Sequence, residues 1–212
     1  PVRQKQADFK IINLNARSVL NKSHLIGSVT LEHDPDILAI TETWFHSDVH
    51  DVEVTPPGYV LIRKDRGGRG GGVALMIERD IKYQTLPDAG DIEAVWVKIQ
   101  LNDHPVYIGD MYRPPCSPAM TWTDLRCFMD SNMHQDDKII LIGDFNLPNI
   151  QWDSHDIIGN EVAHCEHLLD IAFCFNLCQI VSSYTRGFKA VSFILALVFV
   201  SSLLEEMLKH VM

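Results

Sequence analysis

Positive charge is scarce in this chain. Eighteen Lys and Arg stand against 28 Asp and Glu, a net charge of −10, which excludes a general nucleic-acid coat and leaves any polyanion contact to a local basic patch or to bound cations. The five cysteines (Cys116, Cys127, Cys165, Cys174 and Cys178) form no CxxC pair and no disulfide framework, so a reducing, intracellular setting is expected and a secreted scaffold is not. The longest apolar run, residues 190–204, is fifteen residues. That is short of the about 20 that span a bilayer, and its Val, Phe and Ile content reads as a buried strand rather than an anchor. No secretory leader is recognisable, so the Asn21-Lys22-Ser23 sequon is read as chance. There is no internal repeat and no linker long enough to divide the chain. A composition of 46% hydrophobic and 22% charged residues then suits one globular domain over residues 1–212. The first residue is Pro1, and a fragment or a processed product is expected.

What is present is organised around Ile139-Ile140-Leu141-Ile142-Gly143-Asp144-Phe145-Asn146. Four consecutive aliphatic residues leave no polar face, so the run is expected as a strand buried on both sides. Asp144 and Asn146 follow at i and i+2 and so share one side just past its carboxyl end, where sheets flanked by helices place ligands. Taken alone, the pair also suits a purely local Asx turn.

The remaining segments repeat that theme. Residues 9–15 read as a first strand ending at Asn15, residues 19–32 as an amphipathic helix stopped by Pro35, and residues 36–40 as a strand followed by Thr41-Glu42-Thr43-Trp44. Residues 45–58 lack periodicity and read as loop. Residues 59–63 and 72–77 read as paired strands, with five glycines between positions 67 and 72. No GxxxxGK[ST] is present, so this run is expected as a hairpin connection rather than a nucleotide cradle, with Lys64, Arg66 and Arg69 available to a nucleic-acid backbone. Residues 81–85, 94–101 and 104–111 suggest an antiparallel meander that ends at Tyr112-Arg113-Pro114-Pro115. A capping box at Thr121-Trp122-Thr123-Asp124 would open a helix reaching Asn132. A third helix is expected at 164–175, with strands at 178–181 and 190–200. Strands alternating with helices in places and running as meanders in others predict an α/β (α+β) architecture, a two-sheet β-sandwich flanked by helices.

Four expected strand ends thus carry Asn15, Glu42, Tyr112 and the Asp144/Asn146 pair. Phosphodiester hydrolysis needs a hard divalent cation on a carboxylate, a group to orient and deprotonate water, and donors to phosphate oxygens. Each need has a candidate in this set. His164 and His167, one helical turn apart, lack any further Cys or His at a confirming spacing, so no zinc site is expected.

The set Leu14-Asn15-Ala16-Arg17-Ser18, Thr41-Glu42-Thr43-Trp44, Gly70-Gly71-Gly72-Val73-Ala74, Tyr112-Arg113-Pro114-Pro115 and Gly143-Asp144-Phe145-Asn146 resembles the exonuclease-endonuclease-phosphatase superfamily, whose fold is like that of deoxyribonuclease I. Within it the resemblance is to the endonuclease domain of non-LTR (LINE-type) retrotransposons, over residues 9–186. The resemblance implies that Glu42 holds Mg²⁺, with Mn²⁺ an alternative ion, and that Asn15 assists that site. It further implies that Tyr112 contacts the scissile phosphate, Asp144 aligns the attacking water and Asn146 holds a phosphate oxygen as charge builds on it. Arg17, Arg113, Lys64, Arg66 and Arg69 would touch the DNA backbone. The implied reaction is nicking of target DNA to prime reverse transcription, in an element that also carries a reverse transcriptase and an RNA.

The sequence departs from that pattern near its end. The family carries an Asp on its last strand and a Ser-Asp-His after it; here Ala196 stands where the Asp is expected, and no Ser-Asp-His follows before Met212. The fold is therefore expected to be incomplete at the C-terminus and the activity weak or lost. An inactive transposon-derived remnant or binding module, and a phosphatase acting on a small phosphate ester, are the alternative readings, because one core serves several chemistries through its rim loops.

Overall fold

The computed structural model describes residues 9–181, 186–188, 191–193 and 196–202. In chain order the elements are β1 (Ile11–Asn15), α1 (Ser23–His33), β2 (Ile37–Thr41), α2 (Asp51–Val54), β3 (Tyr59–Lys64), β4 (Val73–Glu78), β5 (Tyr83–Thr85), β6 (Glu93–Leu101) and β7 (His104–Tyr112). Then come α3 (Met120–Asn132), β8 (Lys138–Asp144), β9 (Ile150–Gln151), β10 (Asp156–Ile157), α4 (Val162–Cys174), β11 (Leu177–Gln179), β12 (Arg186–Phe188), β13 (Val191–Phe193) and β14 (Ala196–Ser201).

Two mixed sheets stack face to face. One has the order β1-β2-β4-β3, the other β11-β14-β8-β7-β6-β5. The pairs β1/β2 and β7/β8 are parallel, and their neighbours in each sheet are antiparallel. The packing follows from the alternation of side chains along each strand. Ile37, Ala39, Val73, Leu75 and Ile77 of the first sheet meet Val97, Ile99, Val106, Ile108, Ile140 and Ile142 of the second, all buried, in a core between the sheets. The opposite face of the first sheet packs Leu38, Ile40, Ala74 and Met76 against Val19 and Ile26 and against Val54 of α2. The opposite face of the second packs Trp96, Ile139 and Leu141 against α3 and α4 through Trp122, Leu125, Met129, Leu168 and Ile171. The order of layers is helix, sheet, sheet, helix, as the mixed pattern of elements predicted.

The organising strand is central: β8 lies between β7 and β14, and Ile139 to Ile142 are wholly buried. Elsewhere boundaries and elements differ from expectation. Helix α1 starts at Ser23 because Lys22 is turned by its N–H to the Val19 carbonyl at 2.8 Å and by its ammonium to the Ala16 carbonyl at 2.7 Å. The stretch 45–58 contains one helical turn, α2, with Asp51 and Glu53 in its first turn. The capping box does not form; Ala119 caps α3 with no side-chain hydrogen bond. The polar stretch after Asn149 pairs as the short β9/β10 ladder. The single strand expected over 190–200 is two, β13 and β14, with residues 189–190 and 194–195 outside the described set. All five cysteines are free thiols. Among the described residues no helix is long and apolar enough to cross a membrane.

Candidate active site

The carboxyl ends of β1, β2, β7 and β8 meet at one rim of the sandwich. Because β1/β2 and β7/β8 run parallel, Asn15 lies in register with Thr41 and Tyr112 with Asp144. Side chains 27 and 129 positions apart then close on one another. The Asn15 amide nitrogen Nδ2 donates to Glu42 Oε1 at 3.0 Å and to Asp144 Oδ2 at 2.7 Å. Asn15 Oδ1 is buried without a partner.

Glu42 is held by its backbone. It has φ 54° and Trp44 has φ 57°, left-handed values that non-glycine residues rarely adopt. The Ser18 and Val19 amides donate to the Glu42 and Thr43 carbonyls at 2.8 and 3.0 Å on one side, while the Thr43 and Trp44 amides donate to the Gly72 and Gly71 carbonyls at 3.2 and 2.9 Å on the other. This explains two of the five glycines, Gly71 and Gly72. A Cβ at Gly72 would lie 2.6 Å from Thr43 Oγ1, and at Gly71 it would collide with the Arg66 and Glu93 side chains. Gly71 and Gly72 form a close-packing surface that braces the Glu42 turn, while a Cβ at Gly67 or Gly68 would meet open space.

At the other end, Gly143 has φ 149°, and a Cβ there would overlap the Met111 carbonyl oxygen. Its bareness lets β8 lie against β7 while Asp144 reaches the rim. Asn146 is left-handed, φ 49°; its N–H donates to Asp144 Oδ1 at 3.2 Å and its Nδ2 to the Arg113 carbonyl at 2.8 Å. The Asx turn and the site are therefore one arrangement. Burial pushes the Tyr112 hydroxyl up to about 12, with the Glu42 and Asp144 carboxylates acting in the same direction and Arg66 against them. At neutral pH Tyr112 is a neutral donor.

The expected backbone-binding residues divide. Arg17 and Arg69 are exposed. Lys64 is engaged by Asp88 at 2.5 Å and by the Gly90 carbonyl. Arg66 lies 5.5 Å over the Tyr112 ring and is paired with Glu93, whose other oxygen accepts the Gly72 N–H at 2.6 Å. Arg113 requires a correction: it is 0% exposed and cannot touch DNA, because its guanidinium turns inward to Glu161 and to the Phe145 and Asn146 carbonyls. Of the two helix histidines, His164 Nδ1 accepts the Trp122 indole N–H at 2.8 Å.

Sequence reasoning overlooked Glu93, Glu161 and Asp110. Asp110 is wholly buried between the sheets, and neither carboxyl oxygen has a hydrogen-bond partner of good geometry. Burial holds its pKa well above the usual carboxylate range; nearby Ile40, Ala74 and Met111 amides offset part of this, and Asp144 adds to it. The signal was present in the alternation of β7, which puts Asp110 on the same face as Ile108 and Tyr112.

Among the described residues, no three His, Cys, Asp or Glu side chains come together to hold a metal ion. The donor set at the rim still suits one hard divalent cation: two carboxylates within reach of one amide, and an orphaned carboxamide oxygen. Mg²⁺ keeps most of its waters and takes only one or two carboxylates from a protein.

The sequence profile of the Endonuclease/Exonuclease/phosphatase family matches residues 12–189. Solved structures with the same fold include an AP endonuclease from Archaeoglobus fulgidus (15% identity, covering 92% of this chain and 88% of that one, TM-score 0.69). The endonuclease domain of TRAS1, a telomere-specific non-LTR retrotransposon, is 15% identical over 92% and 86% of the two chains, with a TM-score of 0.66. The 3′ phosphatase NExo from Neisseria, bound to product DNA hairpin, is 16% identical over 92% and 87%, with a TM-score of 0.63. None of the curated proteins matches the chain in sequence.

Proposed function

The chain belongs to the Endonuclease/Exonuclease/phosphatase family, and from that premise we propose that it hydrolyses DNA phosphodiester bonds with the help of a divalent cation, Mg²⁺ or Mn²⁺, nicking target DNA in the manner of a non-LTR retrotransposon endonuclease. The observation that carries this reading is the bridge from Asn15 to Glu42 and Asp144, which gathers a cation ligand and a water-orienting carboxylate beside a neutral Tyr112 hydroxyl. Glu42, assisted by Asn15, would hold the cation, which when bound supplies Lewis-acid neutralisation of the phosphate.

The chain's own groups have distinct tasks. Asp144 accepts a hydrogen bond from the attacking water and aligns it in line with the bond to be broken. Tyr112 donates its O–H to a non-bridging phosphate oxygen. Asn146 uses one amide hydrogen on the Arg113 carbonyl, and the other is available to the phosphate oxygen on which charge develops. Exposed Arg17 and Arg69 supply backbone contacts, so binding weakens as salt rises. DNA, rather than a small phosphate ester, fits the Asn-Ala-Arg-Ser and Tyr-Arg-Pro-Pro segments of the retrotransposon resemblance, and a reverse transcriptase and RNA would be partners of the parent element.

One observation favours a weaker catalyst. Ala196 is in register with Asp144 across β14 and β8, at the strand position where the resembled family carries an aspartate. A missing acid or electrostatic group of this kind costs about 10²- to 10⁴-fold in rate.

The test is conversion of supercoiled plasmid to nicked circle, with and without Mg²⁺, for the chain and for Glu42→Ala. Magnesium-dependent nicking abolished by the substitution supports the proposal. Turnover confined to small phosphate esters, or DNA retention with no turnover, overturns it in favour of a phosphatase or of a binding remnant.

A further inference from the structure

Among the described residues, the one basic side chain that is fully buried lies behind the rim, not on it. Arg113 directly follows Tyr112, yet its side chain is 0% exposed and points toward the outer face of the second sheet. Burying a guanidinium is costly unless it is paired and its donors are used. Here Nη1 donates to the Phe145 and Asn146 carbonyls, both at 3.3 Å, and Nη2 to Glu161 Oε1 at 3.2 Å. Nε is buried without a partner, and the planar head lies 5.6 Å over the Trp122 ring. Among the described residues Glu161 is the carboxylate that pairs with it.

The backbone of the same residue completes a closed loop. The Arg113 N–H donates to the Asp144 carbonyl at 2.9 Å, and the Arg113 carbonyl accepts from Asn146 Nδ2 at 2.8 Å. One residue therefore grips the segment Asp144-Phe145-Asn146 at four points. Through Glu161, which precedes α4, and Trp122 of α3, that grip extends to both outer helices. Trp122 is fixed in turn by its indole N–H to His164 Nδ1 on α4 at 2.8 Å. Such anchoring is what a left-handed Asn146 needs, because a non-glycine residue at positive φ persists only where its surroundings over-determine it.

We propose that Arg113 is a positioning residue, a fork held by Glu161 that fixes the carbonyls of Phe145 and Asn146 and so aims the Asn146 amide at the transferring phosphate. It acts through Asn146 and touches no substrate. Lysine cannot replace it, since a point charge does not reach two carbonyls and a carboxylate in one plane. This rests on the reading of the rim as a phosphodiesterase site.

Glu161 is the handle for testing it, because its side chain is 34% exposed and its loss does not empty the core. Four variants are compared with the parent chain: the single variants Glu161→Ala, Glu161→Gln and Asn146→Ala, and the Glu161→Ala/Asn146→Ala double variant. The readouts are plasmid nicking and amide hydrogen exchange. Expected for Glu161→Ala are a kcat about 10- to 100-fold lower with KM within about twofold, and exchange at residues 145–147 at least about tenfold faster while residues 139–142 stay protected. Glu161→Gln, which retains an acceptor for the guanidinium, recovers most of both. In the double variant the losses do not add, because both substitutions act on one interaction.

Unchanged exchange at residues 145–147, an increase spread equally over β8, or additive rate losses would overturn the proposal. A parent chain that nicks no DNA sinks the functional reading, and the exchange pattern then decides this one by itself.

Discussion

The Asn15 carboxamide donates to the Asp144 carboxylate at 2.7 Å across 129 positions of chain. With the 3.0 Å bond to Glu42, it places one neutral amide between two acids at the rim of the sandwich. The fold supplies this closeness through two parallel strand pairs, β1/β2 and β7/β8, whose carboxyl ends face each other across the sandwich.

That arrangement makes Asn15→Asp informative. The substitution replaces a donor with a third carboxylate, loses two charge-assisted hydrogen bonds and adds like-charge repulsion. A destabilisation of about 2–4 kcal/mol follows, which for a chain of this size lowers the Tm by roughly 5–15 °C. Millimolar Mg²⁺ recovers part of the loss, because a cation neutralises the crowded acids. Thermal unfolding with and without the ion checks this; equal Tm values for the two chains would refute it.

Gly143→Ala is expected to yield no stably folded protein. The substituent would sit on the Met111 carbonyl oxygen, at φ 149°, near the carboxyl end of a buried parallel ladder. Neither β7 nor β8 has room to move, so the cost is expected to exceed about 4 kcal/mol. Soluble yield and the denaturation midpoint give the measure, and a chain that folds with near-native stability would show the ladder to be more yielding than its geometry implies.

Much of this framework was legible in the chain, and the reasons are physical. An all-aliphatic strand such as 139–142 leaves no polar face, so its burial on both sides follows from composition alone. Polar residues at four strand ends, Asn15, Glu42, Tyr112 and Asp144, pointed to one rim once the strands were assigned. What stayed hidden depended on tertiary partners. Arg113 looks like a surface cation until Glu161, 48 positions away, draws it inward. Gly71 and Gly72 look like part of a pliable connection until Glu93 and Thr43 press against them. The start of α3 was misplaced at its capping residue, though its end at Asn132 was not, because tertiary packing of Trp122 and Leu125, not a local cap, holds that helix.

His164 should make stability depend on mildly acidic pH. Its pKa is lowered, first by burial and then by the Arg113 charge, and its Nδ1 must stay unprotonated to accept the Trp122 indole N–H. A base with a lowered native pKa binds fewer protons folded than unfolded, so stability rises with pH in the window below the ordinary 6.5 and falls as acid is added. His164→Gln retains an acceptor without a titrating proton and is expected to flatten this dependence between pH 5 and about 6.5. Denaturant midpoints taken across that range decide the matter; parallel pH profiles for the two chains would count against it.

Asp110 works in the opposite sense. Its carboxyl is wholly buried without a well-placed hydrogen-bond partner, and burial above all raises its pKa from the ordinary 3.8. An acid with a raised native pKa holds a proton that the unfolded chain has released, so its contribution to stability is intact below pH 3.8 and is lost as pH climbs toward the native value. At neutral pH it opposes folding. Asp110→Asn keeps shape and hydrogen-bonding capacity while removing the ionisation, and is expected to raise the Tm at pH 7 and to change it little at pH 4. The same substitution removes an ionisable neighbour of Asp144, so any effect on nicking is expected in the pH profile of kcat rather than in KM. A stabilisation equal at both pH values would mean that packing, not the buried charge, is what Asp110 contributes.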